Sequence, residues 1–129
     1  MSNRPSWISC GLAMTAALLV VVAPPAGAAT ARDAKRTTTT RLTVIAGKPS
    51  EFHFRLSKRT VHRGTVIFTV VNHGRLSHDF KIHGKKTKLM PPGKSTTLRV
   101  AFKKSGRYAY LCTVPGHAAA GMKGVLRVT

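Results

Sequence analysis

Short segments in which apolar and polar residues alternate dominate the chain from residue 41 onward. This period of two places apolar side chains on one face of a β-strand and polar ones on the other. The alternating segments lie at Phe52–Leu56, Val66–Val70, His78–Ile82, Leu98–Phe102, Tyr108–Cys112 and Leu126–Val128. No window of helical length after the N-terminal segment shows a period of 3.6, so the pattern predicts an all-β domain.

Turn-forming residues separate the alternating segments. They cluster at Gly47–Pro49, Asn72–Gly74, Pro91–Gly93 and Ser105–Gly106, and glycine, proline and asparagine favour the backbone conformations of tight turns. About seven or eight short strands with this spacing are typical of a Greek-key β-sandwich or barrel. Lysine and arginine would then occupy the outward strand faces, where they also protect sheet edges from pairing.

The N-terminal segment, residues 1–28, has the features of a secretory signal peptide. Arg4 supplies a positive charge, Trp7–Ala23 contains no charged residue, and Ala26–Ala28 provides the small-residue pattern of a cleavage site. An uncleaved anchor is the alternative, because the apolar stretch is near the lower limit for spanning a bilayer. Residues 29–40 predict a flexible leader and residues 41–129 the folded domain. We therefore expect a periplasmic or extracellular protein, which an anchor would hold at the envelope.

Residues with soft metal-binding groups cluster near the C-terminus. Cys112, His117 and Met122 follow one another at intervals of five residues, and His78 opens a separate strand. Alone, each is more often a packing or surface residue, but together they form a ligand set that suits copper or zinc. Two histidines and a cysteine with a weak axial methionine are the blue-copper arrangement. Once the signal is removed, Cys112 is the only cysteine, so the predicted mature chain cannot form an internal disulfide.

These residues resemble the copper-binding motif of the cupredoxins, the plastocyanin/azurin superfamily. The Cys-x4-His-x4-Met spacing is similar to that of rusticyanin-like and small bacterial plastocyanin-like proteins, and Asn72–Gly74, His78–Phe80 and Pro92–Gly93 extend the match. The resemblance implies a cupredoxin-like sandwich over about residues 41–129. It also implies one type 1 copper ion, with the ligands His78, Cys112, His117 and Met122.

Two positions depart from the family pattern. Leu111 stands where photosynthetic plastocyanins have an aromatic residue before the copper cysteine. Asp79 follows the first histidine, where asparagine or serine is common, and we expect it to hydrogen-bond the cysteine loop near Thr113. The remaining histidines are expected at the surface: His53, His62, His73 and His83.

The ligand set implies a one-electron carrier that cycles between Cu(II) and Cu(I). The sequence offers no nucleophile–base pair and no carboxylate pair, so we do not expect an enzyme. The same ligands could serve an envelope copper-binding or copper-delivery protein, or a docking module for a larger copper oxidase or reductase.

The charge of the chain bears on its partners. The sequence has 22 Lys and Arg against 3 Asp and Glu, a formal charge of +19. We expect no nucleic-acid partner, because the chain lacks a nucleic-acid-binding motif, has few aromatic residues for stacking and carries an export signal. The charge favours docking to an acidic redox protein such as a cytochrome or oxidase, or to an anionic envelope surface. We expect a monomer.

Overall fold

The computed structural model describes residues 38–129, and all regular elements in this range are β-strands. In chain order they are β1 (Thr39–Ala46), β2 (Phe54–Leu56), β3 (Thr60–Val61), β4 (Gly64–Asn72), β5 (Lys81–Ile82), β6 (Lys85–Lys86), β7 (Ser95–Phe102), β8 (Gly106–Leu111) and β9 (Lys123–Val128). A helix with the length and apolar character needed to cross a membrane does not occur in this part of the chain.

The strands form two sheets. The first has the order β2-β1-β4-β7 and the second β3-β9-β8-β5-β6. β1 pairs in parallel with β4, and β9 pairs antiparallel with β8 and parallel with β3, so many neighbours in a sheet are distant in sequence. This arrangement confirms the predicted all-β sandwich. The strand count exceeds the predicted seven or eight because β3 and β6 contain two residues each, too few to produce an alternating pattern.

The first strand begins slightly earlier than the predicted domain. Thr39 and Thr40 pair with Thr65 and Val66 of β4, so they belong to β1 and not to a flexible leader. Backbone pairing extends this strand past its apolar positions, which the hydrophobic pattern could not indicate. The predicted signal peptide 1–28 and the leader up to residue 37 lie outside the described residues.

An aromatic cluster centred on Phe80 connects the core to the segment that carries His78. The Phe80 ring is fully buried, and its centroid lies 5.2 Å from Phe54, 5.4 Å from Phe68 and 5.5 Å from Tyr110. Complete burial of such a side chain stabilises a fold by roughly 1.5–3 kcal/mol. Because Phe80 is two residues from His78 in an extended segment, its burial also turns His78 inward.

Two glycines permit a close approach of the backbone behind His78. Gly47 has a φ of +79°, and a Cβ there would overlap the backbone of Gly74. A Cβ at Gly74 would in turn overlap a carboxylate oxygen of Glu51 and lie 2.9 Å from His78 Nε2. The absence of side chains at these glycines therefore makes room for the contact between Glu51 and His78.

We expect Gly47→Ala to destabilise the protein more than Gly84→Ala, a matched control. Gly84 has a similar φ of +74°, but a Cβ there would meet no atom within 4 Å. Both variants carry the cost of a left-handed alanine, about 1–2 kcal/mol, whereas Gly47→Ala adds an overpacking cost of about 1–3 kcal/mol. Urea unfolding of the metal-free proteins measures the difference. Equal losses of stability would show that the contact with Gly74 relaxes freely.

Candidate metal centre

Three of the four predicted ligands converge at one end of the sandwich. The ligand atoms of His78, Cys112 and His117 all lie within 4.8 Å of one another. The Nδ1 atoms of the two histidines are 3.1 Å apart, and Cys112 Sγ is 3.6 Å from His117 Nδ1. His78 and Cys112 are fully buried, and His117 is slightly more exposed. Their nitrogen and sulfur atoms can therefore approach a single ion.

The fourth predicted ligand, Met122, lies beside the other two residues of its loop. Its side chain is fully buried. The Met122 carbonyl accepts a hydrogen bond from the Cys112 N–H at 3.0 Å, and the Met122 N–H donates to the His117 carbonyl at 3.0 Å. These bonds place Met122 next to both loop ligands, and its role as the axial ligand stays a prediction.

Local backbone geometry explains how one loop brings its ligands together. Its base is closed by the pairing of Leu111 with Lys123, at the adjoining ends of β8 and β9. Inside the loop, the His117 N–H donates to the Val114 carbonyl at 3.1 Å. Gly116 has a φ of +83°, a conformation that glycine adopts without strain. The chain thus reverses between Cys112 and His117 and presents both side chains on the same side.

His78 enters the site from the segment between β4 and β5. It forms an isolated antiparallel bridge with Met90, in which each N–H donates to the other residue's carbonyl, at 3.1 and 2.8 Å. The rings of His78 and His117 meet edge to face with their centroids 5.0 Å apart. Met90 itself is buried and belongs to the core.

Asp79 braces the cysteine loop as the sequence predicted. Its Oδ1 accepts a hydrogen bond of 2.6 Å from the Thr113 N–H, and its Oδ2 accepts another from the Thr113 hydroxyl. Lys86 Nζ lies 3.6 Å from Asp79 Oδ2. Since Asp79 adjoins His78 and Thr113 adjoins Cys112, these bonds connect the two ligand-bearing segments directly.

Glu51, which no sequence pattern indicated, contacts His78 at Nε2, while His78 Nδ1 faces His117. Its Oε1 lies 2.8 Å from His78 Nε2. The N–H groups of Arg75 and Leu76 also donate to the Glu51 carboxylate and, together with His78, lower its pKa to about 2. Glu51 precedes His78 by 27 residues and lies in a turn, so no motif joins the two. The available signal was its rarity, as one of 3 acidic residues in the chain.

Burial favours the uncharged forms of two of the predicted ligands, Cys112 and His117, when no metal is bound. Burial raises the pKa of the Cys112 thiol, and burial followed by the nearby His78 lowers the pKa of the His117 imidazole. Both shifts favour uncharged side chains in the absence of a cation. Because the thiolate is the form that binds metal, copper binding at this site would displace a proton from Cys112. Imidazole nitrogen, thiolate and thioether are donors that suit copper.

The remaining histidines lie where the sequence predicted. His53, His62, His73 and His83 are all exposed. His83 stacks on Phe102 with the ring centroids 5.5 Å apart, at the strand turn between β5 and β6. None of these four belongs to the group of ligand atoms found among residues 38–129.

Comparison with known families identifies the class of protein. Residues 38–129 match the family of copper-binding proteins that contains plastocyanin and azurin. The match spans most of the chain and all of the residues that the structure describes, so the protein belongs to the plastocyanin/azurin family. With this family and the cluster of two histidines and one cysteine, the cofactor is one type 1 copper ion.

Individual relatives agree with this assignment. The copper-resistant cuproprotein CopI of Rubrivivax gelatinosus is 36% identical over 90 residues, which cover 50% of this chain and 53% of CopI. The chain thus spans about half the length of that relative. Rusticyanin from Thiobacillus ferrooxidans superposes with a TM-score of 0.58 at 27% identity, over 70% of this chain and 77% of rusticyanin. Reduced auracyanin from Roseiflexus castenholzii shares the fold, with a TM-score of 0.55 at 22% identity, over 71% of this chain and 97% of auracyanin.

Replacing the thiolate should abolish the blue colour but keep the fold. Cys112→Ser removes the sulfur that gives rise to the charge-transfer band, while the side chain remains small in a buried position. We expect the intense visible band of the oxidised wild type to disappear, with the circular dichroism of the β-sheets unchanged. An undiminished band in the Cys112→Ser protein would disprove the ligand assignment.

Replacing Met122, the predicted axial ligand, should raise the redox potential without loss of copper. A leucine fills a similar volume, at a cost below about 1.5 kcal/mol, but donates no electron pair to Cu(II). Met122→Leu should therefore shift the potential upward in a spectroelectrochemical titration, because the axial ligand tunes it.

Met90→Leu is the matched control for this experiment. Met90 is also buried and pairs with His78 through its backbone, so a change in packing alone would affect both variants. We expect Met90→Leu to keep the wild-type potential. An unaltered potential in Met122→Leu would show that Met122 is not the axial ligand.

Proposed function

We propose that the protein is an exported one-electron carrier whose copper ion alternates between Cu(II) and Cu(I). The main support is the prior organisation of the ligands: His78, Cys112 and His117 already converge within 4.8 Å. Hydrogen bonds to the carboxylates of Asp79 and Glu51 secure the segments that carry His78 and Cys112. Ligands held in this way need little movement when the oxidation state changes, which favours fast electron transfer. The proposal includes no substrate turnover, because four protein ligands leave no position for a substrate.

His117 is the proposed route for electrons. His117 as a residue is 8% exposed, whereas His78 and Met122 are 0% and Cys112 1% exposed. The imidazole edge thus provides the short path from the copper to the protein surface. The residues around it form what we call the His117 surface, made of small side chains: Pro115, Gly116 and Ala118–Ala120. Such a surface lets a partner approach closely.

Two large apolar side chains are exposed near the segment that carries His78, in addition to the small residues of the His117 surface. Leu76 is 45% exposed and Leu89 is 58% exposed. Leu76 precedes His78 by two residues, and Leu89 precedes Met90, the partner of His78 in its bridge. Exposed apolar patches on soluble proteins often mark interaction sites. Together with the His117 surface, they support docking of a partner at the copper end.

The proposed partner is an acidic redox protein, such as a cytochrome or an oxidase. Among residues 38–129, the acidic side chains are Glu51 and Asp79, and both are engaged with the ligand segments, with side-chain exposures of 24% and 5%. Lys86 and Lys123 flank the copper loop and are exposed. Their positive charge would steer an acidic partner towards His117. We propose a monomer that does not bind nucleic acid.

A copper-delivery function is the second candidate, favoured by the similarity to a copper-resistant cuproprotein. In that case the site would release copper to an acceptor instead of exchanging electrons. Mixing the copper-loaded protein with a metal-free acceptor distinguishes the two. Rapid loss of the blue band by copper transfer favours delivery, whereas stable copper with rapid electron exchange favours the carrier.

A charge on the His117 surface should slow electron exchange. Ala119 is exposed in the loop, so Ala119→Glu should leave the copper spectrum intact. Stopped-flow oxidation by an acidic c-type cytochrome should nevertheless be slower, because the new carboxylate repels the partner and lengthens the electron path. An altered copper spectrum with a normal rate of exchange would mean that Ala119 only packs the loop.

Two matched variants, each of which removes one positive charge, test whether lysines at the copper end speed up association with the partner. Lys123→Gln removes a charge at the copper end, whereas Lys104→Gln removes one before β8, at the opposite end of that strand. A charge pair about 8 Å apart in water contributes roughly 0.5 kcal/mol, so Lys123→Gln should lower the low-salt association rate about twofold. The difference should disappear at high salt. Equal effects of the two variants would contradict docking at the copper end.

A further inference from the structure

We propose that Glu51 is a positioning residue for copper: its carboxylate fixes the orientation and tautomer of His78 and lowers the redox potential. The inference concerns the copper site and does not depend on whether the protein carries electrons or delivers copper. Three observations support it: the hydrogen bonds of the Glu51 carboxylate, the different partners of the two His78 nitrogens, and the space that Gly74 leaves beside both side chains.

Glu51 is held firmly in its position. Both of its oxygens accept from the Arg75 N–H, at 3.0 and 2.9 Å, and Oε1 also accepts from the Leu76 N–H at 3.0 Å. The same Oε1 lies 2.8 Å from Nε2 of the fully buried His78. Backbone groups thus fix the carboxylate, which in turn fixes the imidazole.

This contact determines which nitrogen of His78 faces the metal. An ionised carboxylate only accepts hydrogen bonds, so Nε2 must carry the proton that it donates to Glu51. In a neutral imidazole the other nitrogen, Nδ1, is then left with a free electron pair. That atom lies 3.1 Å from His117 Nδ1, inside the cluster of ligand atoms. Glu51 therefore selects the tautomer that can bind copper through Nδ1.

The local backbone is shaped for this contact. Gly74 lies where any side chain would overlap Glu51 Oε1 and come within 2.9 Å of His78 Nε2. Asn72 Oδ1 accepts from the Gly74 N–H at 2.9 Å and holds the turn in place. The missing side chain at Gly74 thus leaves room for the Glu51 carboxylate to reach His78 Nε2. If Glu51 only bound the backbone of Arg75 and Leu76, the space beside the imidazole would not be needed.

The negative charge also affects the electronic properties of the ligand. A carboxylate that accepts the N–H of a metal-bound histidine makes the imidazole a stronger electron donor. A stronger donor stabilises Cu(II) more than Cu(I), because Cu(II) has the higher charge. Glu51 should therefore lower the redox potential, whereas a neutral acceptor would do so less.

The primary test is Glu51→Gln, which keeps the shape of the side chain but removes its charge. We expect the variant to bind copper and to lose at least tenfold in affinity for Cu(II) relative to Cu(I). A tenfold change corresponds to an increase in potential of about 59 mV for one electron. Glu51→Asp, which keeps the charge on a shorter side chain, should recover part of the shift.

Asp79→Asn is the matched control for charge. It removes the other carboxylate at the site, one that bonds Thr113 and not an imidazole. We expect a smaller shift than for Glu51→Gln. Equal shifts would mean that general electrostatics, and not the bond to His78, sets the potential. An unchanged potential in folded Glu51→Gln protein would overturn the electronic role.

A measurement on the unmodified protein avoids dependence on the folding of any variant. Nitrogen-15 NMR of the diamagnetic Cu(I) form reports which imidazole nitrogen of His78 carries a proton. We expect a hydrogen-bonded Nε2–H that exchanges slowly with water, and a metal-bound Nδ1. A proton on Nδ1, or copper bound through Nε2, would overturn the positioning role directly.

Discussion

The structure depends above all on the burial of Phe80 between the two sheets. Phe80 packs against rings from both sheets. Its burial determines which side chains of the extended segment that contains His78 point inward. With His78 turned inward, its neighbour Asp79 lies within reach of Thr113, next to Cys112. The packing of one aromatic side chain thus decides whether a histidine and a cysteine that are far apart in sequence can meet. The remaining loop ligands need only the closure of a hairpin.

The two acidic residues of the described chain both support the metal site. Asp79 connects the histidine segment to the cysteine loop, and Glu51 contacts the imidazole of His78. Elsewhere in residues 38–129 the charged side chains are basic, and they occupy outward strand faces or turns. The distribution separates two roles of charge: carboxylates organise the inside of the site, while lysine and arginine determine how the outside attracts other molecules.

Much of the fold and the site could be predicted from local sequence patterns. The alternation in β7 and β8 predicted their buried faces, and the spacing of Cys112, His117 and Met122 indicated the metal loop. The bond of Asp79 to Thr113 was predicted from the resemblance to the cupredoxins, in which asparagine or serine commonly follows the first histidine. Glu51 could not be found in this way, because its contact depends on a turn that brings together residues 27 apart. Strands as short as β3 escaped for a related reason: pairing with β9 creates them, and two residues show no pattern.

The depth of Cys112 has a consequence for the protein before it receives copper. Cys112 is 1% exposed, and burial favours the protonated form of its thiol. Oxidation and disulfide exchange both require an accessible thiolate. A metal-free chain in oxidising surroundings should therefore neither cross-link to a second chain nor progress to sulfenic acid at an appreciable rate. The fold that builds the copper site also preserves its sulfur, so that newly folded protein keeps its capacity to be loaded until the metal arrives.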